Sequence, residues 1–130
     1  MKFRGVFTAL VTPMQQGNID EGGLRTLVRK QIEAGVHGLV VNGSTGEAAT
    51  LTDDELVYTA GLVVDEALGR VPVVAGVGSR STHGAIAQAQ AAEAAGVDAL
   101  LVVTPPYNKP TQTGLIHHFI NVAENTSLPI

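Results

Sequence analysis

The segments Glu33–Val41 (EAGVHGLVV) and Ala94–Val102 (AAGVDALLV) are two copies of one pattern, and this repeat constrains the fold more than any other feature of the chain. Each copy joins a helix end to a glycine (Gly35, Gly96), a two-residue spacer and an apolar run. Glycine suits the position just past a helix because it enters the left-handed conformation without a Cβ clash. Strands that are apolar almost throughout belong to a parallel sheet covered on at least one face. The repeated unit is therefore a βα module, and its recurrence predicts an α/β fold with parallel strands.

The rest of the chain keeps the same phase. Val6–Pro13, Gly38–Asn42, Pro72–Val77 and Ala99–Thr104 read as strands. Glu21–Ala34 reads as a helix with Leu24, Leu27, Val28 and Ile32 on one face. Thr52 and Glu55 form a capping box ahead of a second helix, whose stripe is Leu56, Ala60, Val63, Val64 and Ala67 and which ends at Gly69. Ser81 or Thr82 opens an alanine-rich third helix running to Ala95. Thr111 or Thr113 opens a fourth, with Leu115, Ile116, Phe119, Ile120 and Ala123 on its apolar face. Pro129-Ile130 begin a fifth strand. Two architectures use such modules: an open doubly wound sheet, complete near this length, and the (β/α)₈ TIM barrel of ~250 residues. The stop at Ile130, inside a strand signal, favours the N-terminal half of a barrel. The expectation is one partial-barrel domain over residues 1–130, with four strands, four helices and the start of a fifth strand.

Composition closes off several kinds of chemistry. The chain has no cysteine, which excludes a disulfide scaffold, a thiolate metal site and a cysteine nucleophile. Its net charge is −4 with no basic run, so no nucleic-acid partner is expected. Its apolar runs fall short of the ~20 residues that span a bilayer, so no membrane partner is expected. Met1–Arg4 followed by Val6–Val11 has the outline of a signal peptide, but the apolar part is short and Thr12-Pro13 interrupts it. A cytoplasmic location is the expectation. Four histidines offer no metal site: His117 and His118 are adjacent on a helix, His37 lies at the far end, and His83 sits in the first turn of the third helix.

In either architecture the chemistry sits at the carboxyl ends of the strands. The second strand is followed by Asn42-Gly43-Ser44-Thr45-Gly46-Glu47, where glycines flank two hydroxyls. Free N–H groups in such a turn form a nest for a carboxylate, and the hydroxyls add hydrogen bonds or relay a proton. A tight loop without a ligand fits the spacing equally well. Glu47 is either a base or a support behind the site. Gly76–Ser81 follows the third strand; its glycines hint at phosphate binding, and a plain turn with a solvated Arg80 fits better. Thr104–Pro110 follows the fourth strand. Its three prolines stiffen the loop around Tyr107, which suits a phenol placed for proton transfer, or a turn with a packed tyrosine.

The order Phe7–Met14 (FTALVTPM), then Gly43–Glu47 (GSTGE), then Val103–Pro110 (VTPPYNKP) resembles the dihydrodipicolinate synthase family over the whole chain. The resemblance implies a (β/α)₈ barrel, assembled as a homotetramer, that needs no cofactor. It implies a class I aldolase condensing pyruvate with aspartate semialdehyde to 4-hydroxy-tetrahydrodipicolinate in lysine biosynthesis. It implies that Thr45, with the backbone of Gly43 and Gly46, holds the pyruvate carboxylate. It implies that Ser44 and Tyr107 relay protons, Tyr107 reaching a neighbouring subunit's site. Sibling aldolases acting on N-acetylneuraminate or keto-deoxy sugar acids share the Ser-Thr pair. A non-enzymatic flavodoxin-like or half-barrel module binding an anion or a partner protein is the alternative of another class. Feedback-inhibited members carry Asn and Glu where this chain has Arg80 and Gly84, and a His near Leu56, so inhibition by lysine is not expected.

Class I chemistry needs a desolvated lysine to form a Schiff base with the ketone. The chain has only Lys2, Lys30 and Lys109, none of them on a strand. The resemblance implies that this lysine belongs to the sixth strand, and a further tyrosine and arginine to the fifth and its loop, all past Ile130. The 130 residues alone are therefore expected to be inactive, and to pair with the missing half or a second copy.

Overall fold

The structure, a computed structural model, describes residues 3–130; Met1 and Lys2, which enter the signal-peptide outline and the lysine count, lie outside the described residues. The order is β1 (Phe7–Ala9), β2 (Met14–Gln15), β3 (Asn18–Ile19), α1 (Glu21–Glu33), β4 (Gly38–Val41), α2 (Asp53–Ala67), β5 (Val73–Val77), α3 (Thr82–Ala94), β6 (Ala99–Val102) and α4 (Gln112–Glu124).

β1, β4, β5 and β6 form one parallel sheet in that order. A doubly wound sheet reverses its strand order at a switch point and carries helices on both faces. Here the order never reverses, and right-handed crossovers then lay every helix on one face. Burial agrees. Leu39, Val41, Val73, Ala75, Val77 and Leu100 are buried beneath the helices, while on the other face Val40 and Val74 are half-buried and Leu101 and Val103 are exposed. The architecture is four βα units of a (β/α)₈ barrel.

The repeat has a structural reason beyond its glycines. His37 donates its N–H to the Val6 carbonyl (2.8 Å) and accepts the Val6 N–H on Nδ1 (3.0 Å). Asp98, its counterpart, donates to the Val73 carbonyl (2.8 Å) and accepts the Val73 N–H on Oδ2 (2.8 Å). Each side chain thus satisfies a donor at the start of the preceding strand and helps to set the register. Gly35 and Gly96 are left-handed, at φ 85° and 88°. The Leu100 N–H donates to the Pro129 carbonyl (3.0 Å), as Leu39 does to Pro72 (3.0 Å), so the chain at Pro129 already lies beside β6.

Three expectations are corrected. The first strand is not Val6–Pro13: β1 covers Phe7–Ala9, and only the bonds His37 N–H to Val6 and Leu10 N–H to Val40 extend its ladder. Beyond it the unforeseen hairpin β2–β3 turns on Gln16 and Gly17, both at positive φ (53° and 81°), as a type I′ turn demands. The second helix ends before Gly69, because exposed Leu68 itself turns left-handed (φ 50°). On α4 the buried residues are His118 and Val122, while Ile116, Ile120 and Ala123 of the expected stripe are exposed. This helix has two apolar faces, and packing against α3 selects one of them.

The caps resolve as Asp20, Thr52 with Glu55, Ser81 and Thr111, each accepting a backbone N–H of its helix's first turn. Such a cap contributes about 1 kcal/mol. The turn after α4 is held by Glu93, which accepts from the Ser127 hydroxyl, the Thr126 hydroxyl (2.7 Å) and the Ser127 N–H (3.3 Å). The Ser127 and Thr126 hydroxyls hold this carboxyl below its usual range. A carboxyl depressed by folding stabilises fully above its unfolded pKa, and that contribution disappears as pH falls through the folded value. The Ser127 amide is therefore expected to lose hydrogen-exchange protection on acidification below the ordinary carboxylate range. In Glu93→Gln that pH dependence is expected to vanish; an unchanged profile would show that Glu93 does not hold the turn.

Candidate active site

The loops after β4, β5 and β6 share one end of the sheet. β4 stops at Val41 because Asn42 turns left-handed (φ 58°), a conformation asparagine tolerates better than most side chains. Asn42 is buried. Its Nδ2 donates to the Leu56 carbonyl (2.8 Å) and its Oδ1 accepts from the Thr59 hydroxyl (2.8 Å). Ser44–Gly46 then form a single tight turn, closed by Gly46 N–H to the Gly43 carbonyl (3.0 Å) and Glu47 N–H to the Ser44 carbonyl (3.1 Å). Two neighbours pin it. The Thr12 hydroxyl donates to the Gly46 carbonyl (2.7 Å), and the Asn42–Gly43 peptide lies directly over Gly76 of β5.

Within this turn the N–H groups of Ser44 and Thr45 make no hydrogen bond among the described residues, and both residues are exposed. Two adjacent unpaired donors beside two hydroxyls can receive an anionic oxygen pair. Gly46 is buried, and a Cβ on it would sit 3.1 Å from the Leu10 carbonyl oxygen, close enough to press on that backbone. Gly43 differs: its φ is −79° and a Cβ would meet only Val40 at 3.9 Å, so neither space nor conformation demands glycine there. Glu47 is left-handed (φ 57°) and exposed; its carbonyl, not its carboxylate, is engaged, by Thr50.

Tyr107 stands apart. It is 94% exposed, takes φ 71°, and makes no hydrogen bond with Ser44 or Thr45. Lys109 is also left-handed (φ 46°), and Asn108 between them donates its side-chain amide to the Arg80 carbonyl. The β6 loop is thus tied to the β5 loop with its phenol turned to solvent. In the β5 loop the Gly78 N–H is already taken by the Gln88 side chain (3.0 Å), which removes a donor that a phosphate cradle would use.

Sequence reasoning passed over Thr12, Asn42 and Thr59 as supports. The available signal was modest: an asparagine at a strand end, and a threonine on the apolar face of a helix. His118 is a core residue, with Nδ1 3.0 Å from the Thr82 hydroxyl. No cluster of three or more His, Cys, Asp or Glu able to hold a metal occurs among the described residues. No described helix is long and apolar enough to cross a membrane. Lys30 and Lys109 are both exposed.

Comparison with known proteins agrees with this fold. The sequence model described as the dihydrodipicolinate synthetase family matches residues 2–130. The 4-hydroxy-tetrahydrodipicolinate synthase of Nitrobacter hamburgensis is 56% identical over 129 residues, which are 99% of this chain and 44% of that protein. The solved 4-hydroxy-tetrahydrodipicolinate synthase of Methylacidiphilum fumariolicum superposes with a TM-score of 0.97 at 42% identity, covering 99% of this chain and 43% of that one. The chloride-inhibited dihydrodipicolinate synthase of Acinetobacter baumannii, solved with pyruvate, superposes with a TM-score of 0.96 at 43% identity, covering 98% and 44%. The chain therefore spans less than half the length of these relatives. Sequence and backbone agree along its described length, and the chain belongs to the dihydrodipicolinate synthetase family.

Proposed function

We propose that this chain is the part of a 4-hydroxy-tetrahydrodipicolinate synthase that receives the carboxylate of pyruvate. The observation that carries the reading is the turn Ser44–Gly46, with its adjacent unpaired N–H groups of Ser44 and Thr45 beside their own hydroxyls. The N–H groups of Ser44 and Thr45 and the Thr45 hydroxyl hold the carboxylate, while Gly43 and Gly46, expected to lend their backbone, shape the turn instead, because the Gly46 N–H is already closed onto the Gly43 carbonyl. Ser44 passes protons as the pyruvate ketone becomes a Schiff base and then an enamine that attacks aspartate semialdehyde, and the exposed Tyr107 serves the same relay in a neighbouring subunit's site. The whole enzyme is a cytoplasmic lyase of lysine and diaminopimelate biosynthesis that works as a homotetramer without a cofactor. Residues 1–130 form one partial-barrel domain of it. The exposure of Lys30 and Lys109 supports a Schiff-base amine contributed by other residues of the barrel.

A chimera tests this reading, with the chain replacing the matching segment of the Nitrobacter hamburgensis relative. It is expected to consume pyruvate and aspartate semialdehyde, and Thr45→Val is expected to raise the pyruvate KM about tenfold by removing one hydrogen bond to a charged ligand. Turnover of a sugar-acid aldehyde in place of aspartate semialdehyde would move the reading to the sibling aldolases. No turnover of either would defeat it.

A further inference from the structure

We propose that Asn42 and Thr59 are positioning residues, a buried clamp that sets the orientation of the Ser44 and Thr45 N–H groups. The inference deepens the carboxylate reading above and rests on it for the ligand. The two side chains touch no substrate. They lie behind the turn, 5% and 0% exposed, between the end of β4 and the first turns of α2. Asn42 directly precedes Gly43, whose carbonyl closes the turn, and its φ of 58° aims the chain out of the sheet. Its amide is held at both ends, Nδ2 by the Leu56 carbonyl and Oδ1 by the Thr59 hydroxyl. Thr59 Oγ1 also lies 2.8 Å from the Glu55 carbonyl and 3.1 Å from the Leu56 carbonyl, so it shares one proton among three acceptors and locks the asparagine to the helix. The clamp thereby couples α2 to a turn that, among the described residues, is otherwise fastened by Thr12 and by its seat on Gly76. The main-chain rotation at Asn42, carried on through Gly43, sets where the N–H vectors of Ser44 and Thr45 point, and a modest misplacement of such donors weakens every contact they make.

Two substitutions separate the clamp from the backbone conformation. Glycine adopts positive φ freely, so Asn42→Gly removes the clamp without strain. Thr59→Val keeps the shape and removes the hydroxyl, leaving a buried carbonyl oxygen without its donor. In the chain itself, both are expected to speed amide exchange about tenfold at Gly46 and Glu47, whose N–H groups close the turn, and to leave Val28 in α1 unchanged. In the chimera, both are expected to raise the pyruvate KM about tenfold with kcat changed less than about twofold, because the donors hold the carboxylate equally in ground and transition states. Thr59→Ser, which keeps the hydroxyl, is expected to restore both readouts. Faster exchange throughout the chain, or none in the turn, would overturn the clamp. A changed kcat with an unchanged KM would overturn its role in carboxylate binding. Local exchange in a chimera that turns over no pyruvate would leave the clamp standing and defeat the functional reading alone.

Discussion

Incubated with pyruvate and borohydride, the chain alone is expected to gain no covalent adduct at Lys30 or Lys109. Imine formation needs a neutral amine, and class I aldolases obtain it by burying a lysine away from water. Lys30 lies on the solvent side of α1 and Lys109 in the exposed β6 loop. Losing a covalent nucleophile costs on the order of 10⁶-fold in turnover, because the remaining groups act through the intermediate it forms. Peptide mapping by mass spectrometry checks the result, and a reduced adduct on any lysine of the chain, Lys2 included, would refute it. Adding the remaining segment of the Nitrobacter hamburgensis relative is expected to restore trapping, on a lysine of that segment. Pyruvate is still expected to shift the amide resonances of Ser44 and Thr45 in the isolated chain, since the turn is already formed.

The largest expected loss of stability from a single methyl group is at Gly76. A Cβ there would stand 2.0 Å from the Asn42 carbonyl oxygen, 2.6 Å from its carbon and 3.0 Å from the Gly43 nitrogen. All three are backbone atoms, so no rotamer change relieves the overlap. Either β4 and β5 separate or the turn leaves its seat. Gly76→Ala is expected to cost about 3 kcal/mol, read from the urea midpoint. Gly61→Ala is the control, because a Cβ at that helical position meets nothing within 4 Å. It is expected to stabilise by about 0.5–1 kcal/mol through helix propensity. An unchanged midpoint for Gly76→Ala would mean that the strand ends adjust freely, and the rigid seating of the turn would fail with it.

The elements that came out of the sequence are those governed by local rules. The capping box at Thr52 and Glu55, the left-handed glycines 35 and 96, and the βα phasing depend on neighbours a few residues away. The hairpin at Gln16-Gly17 was equally local, but its strands are only two residues long and carry no periodicity to notice. The α4 stripe was misjudged for a different reason. Leu115, Ile116, Phe119 and Ile120 are all apolar, and the helix cannot choose its buried side without α3. In the candidate site, Ser44, Thr45 and Gly46 were legible because glycines around hydroxyls at a strand end have a physical meaning of their own. Their supports were not, since Thr12, Asn42, Thr59 and Gly76 meet only after the chain has folded.

The repeat that opens at Glu33 and returns at Ala94 determined by itself that this chain is built of parallel βα units, because glycine and apolar runs act within each unit. It left the choice between an open sheet and a barrel undecided. Tertiary structure decided it through strand order: β1, β4, β5 and β6 follow one another without reversal, so all the helices gather on one face. Tertiary structure alone also turned His37 and Asp98, plain spacers in the repeat, into acceptors for the N–H groups of Val6 and Val73. The reason is common to both. Pairing between strands joins residues 25 or 31 positions apart, beyond the reach of any local pattern.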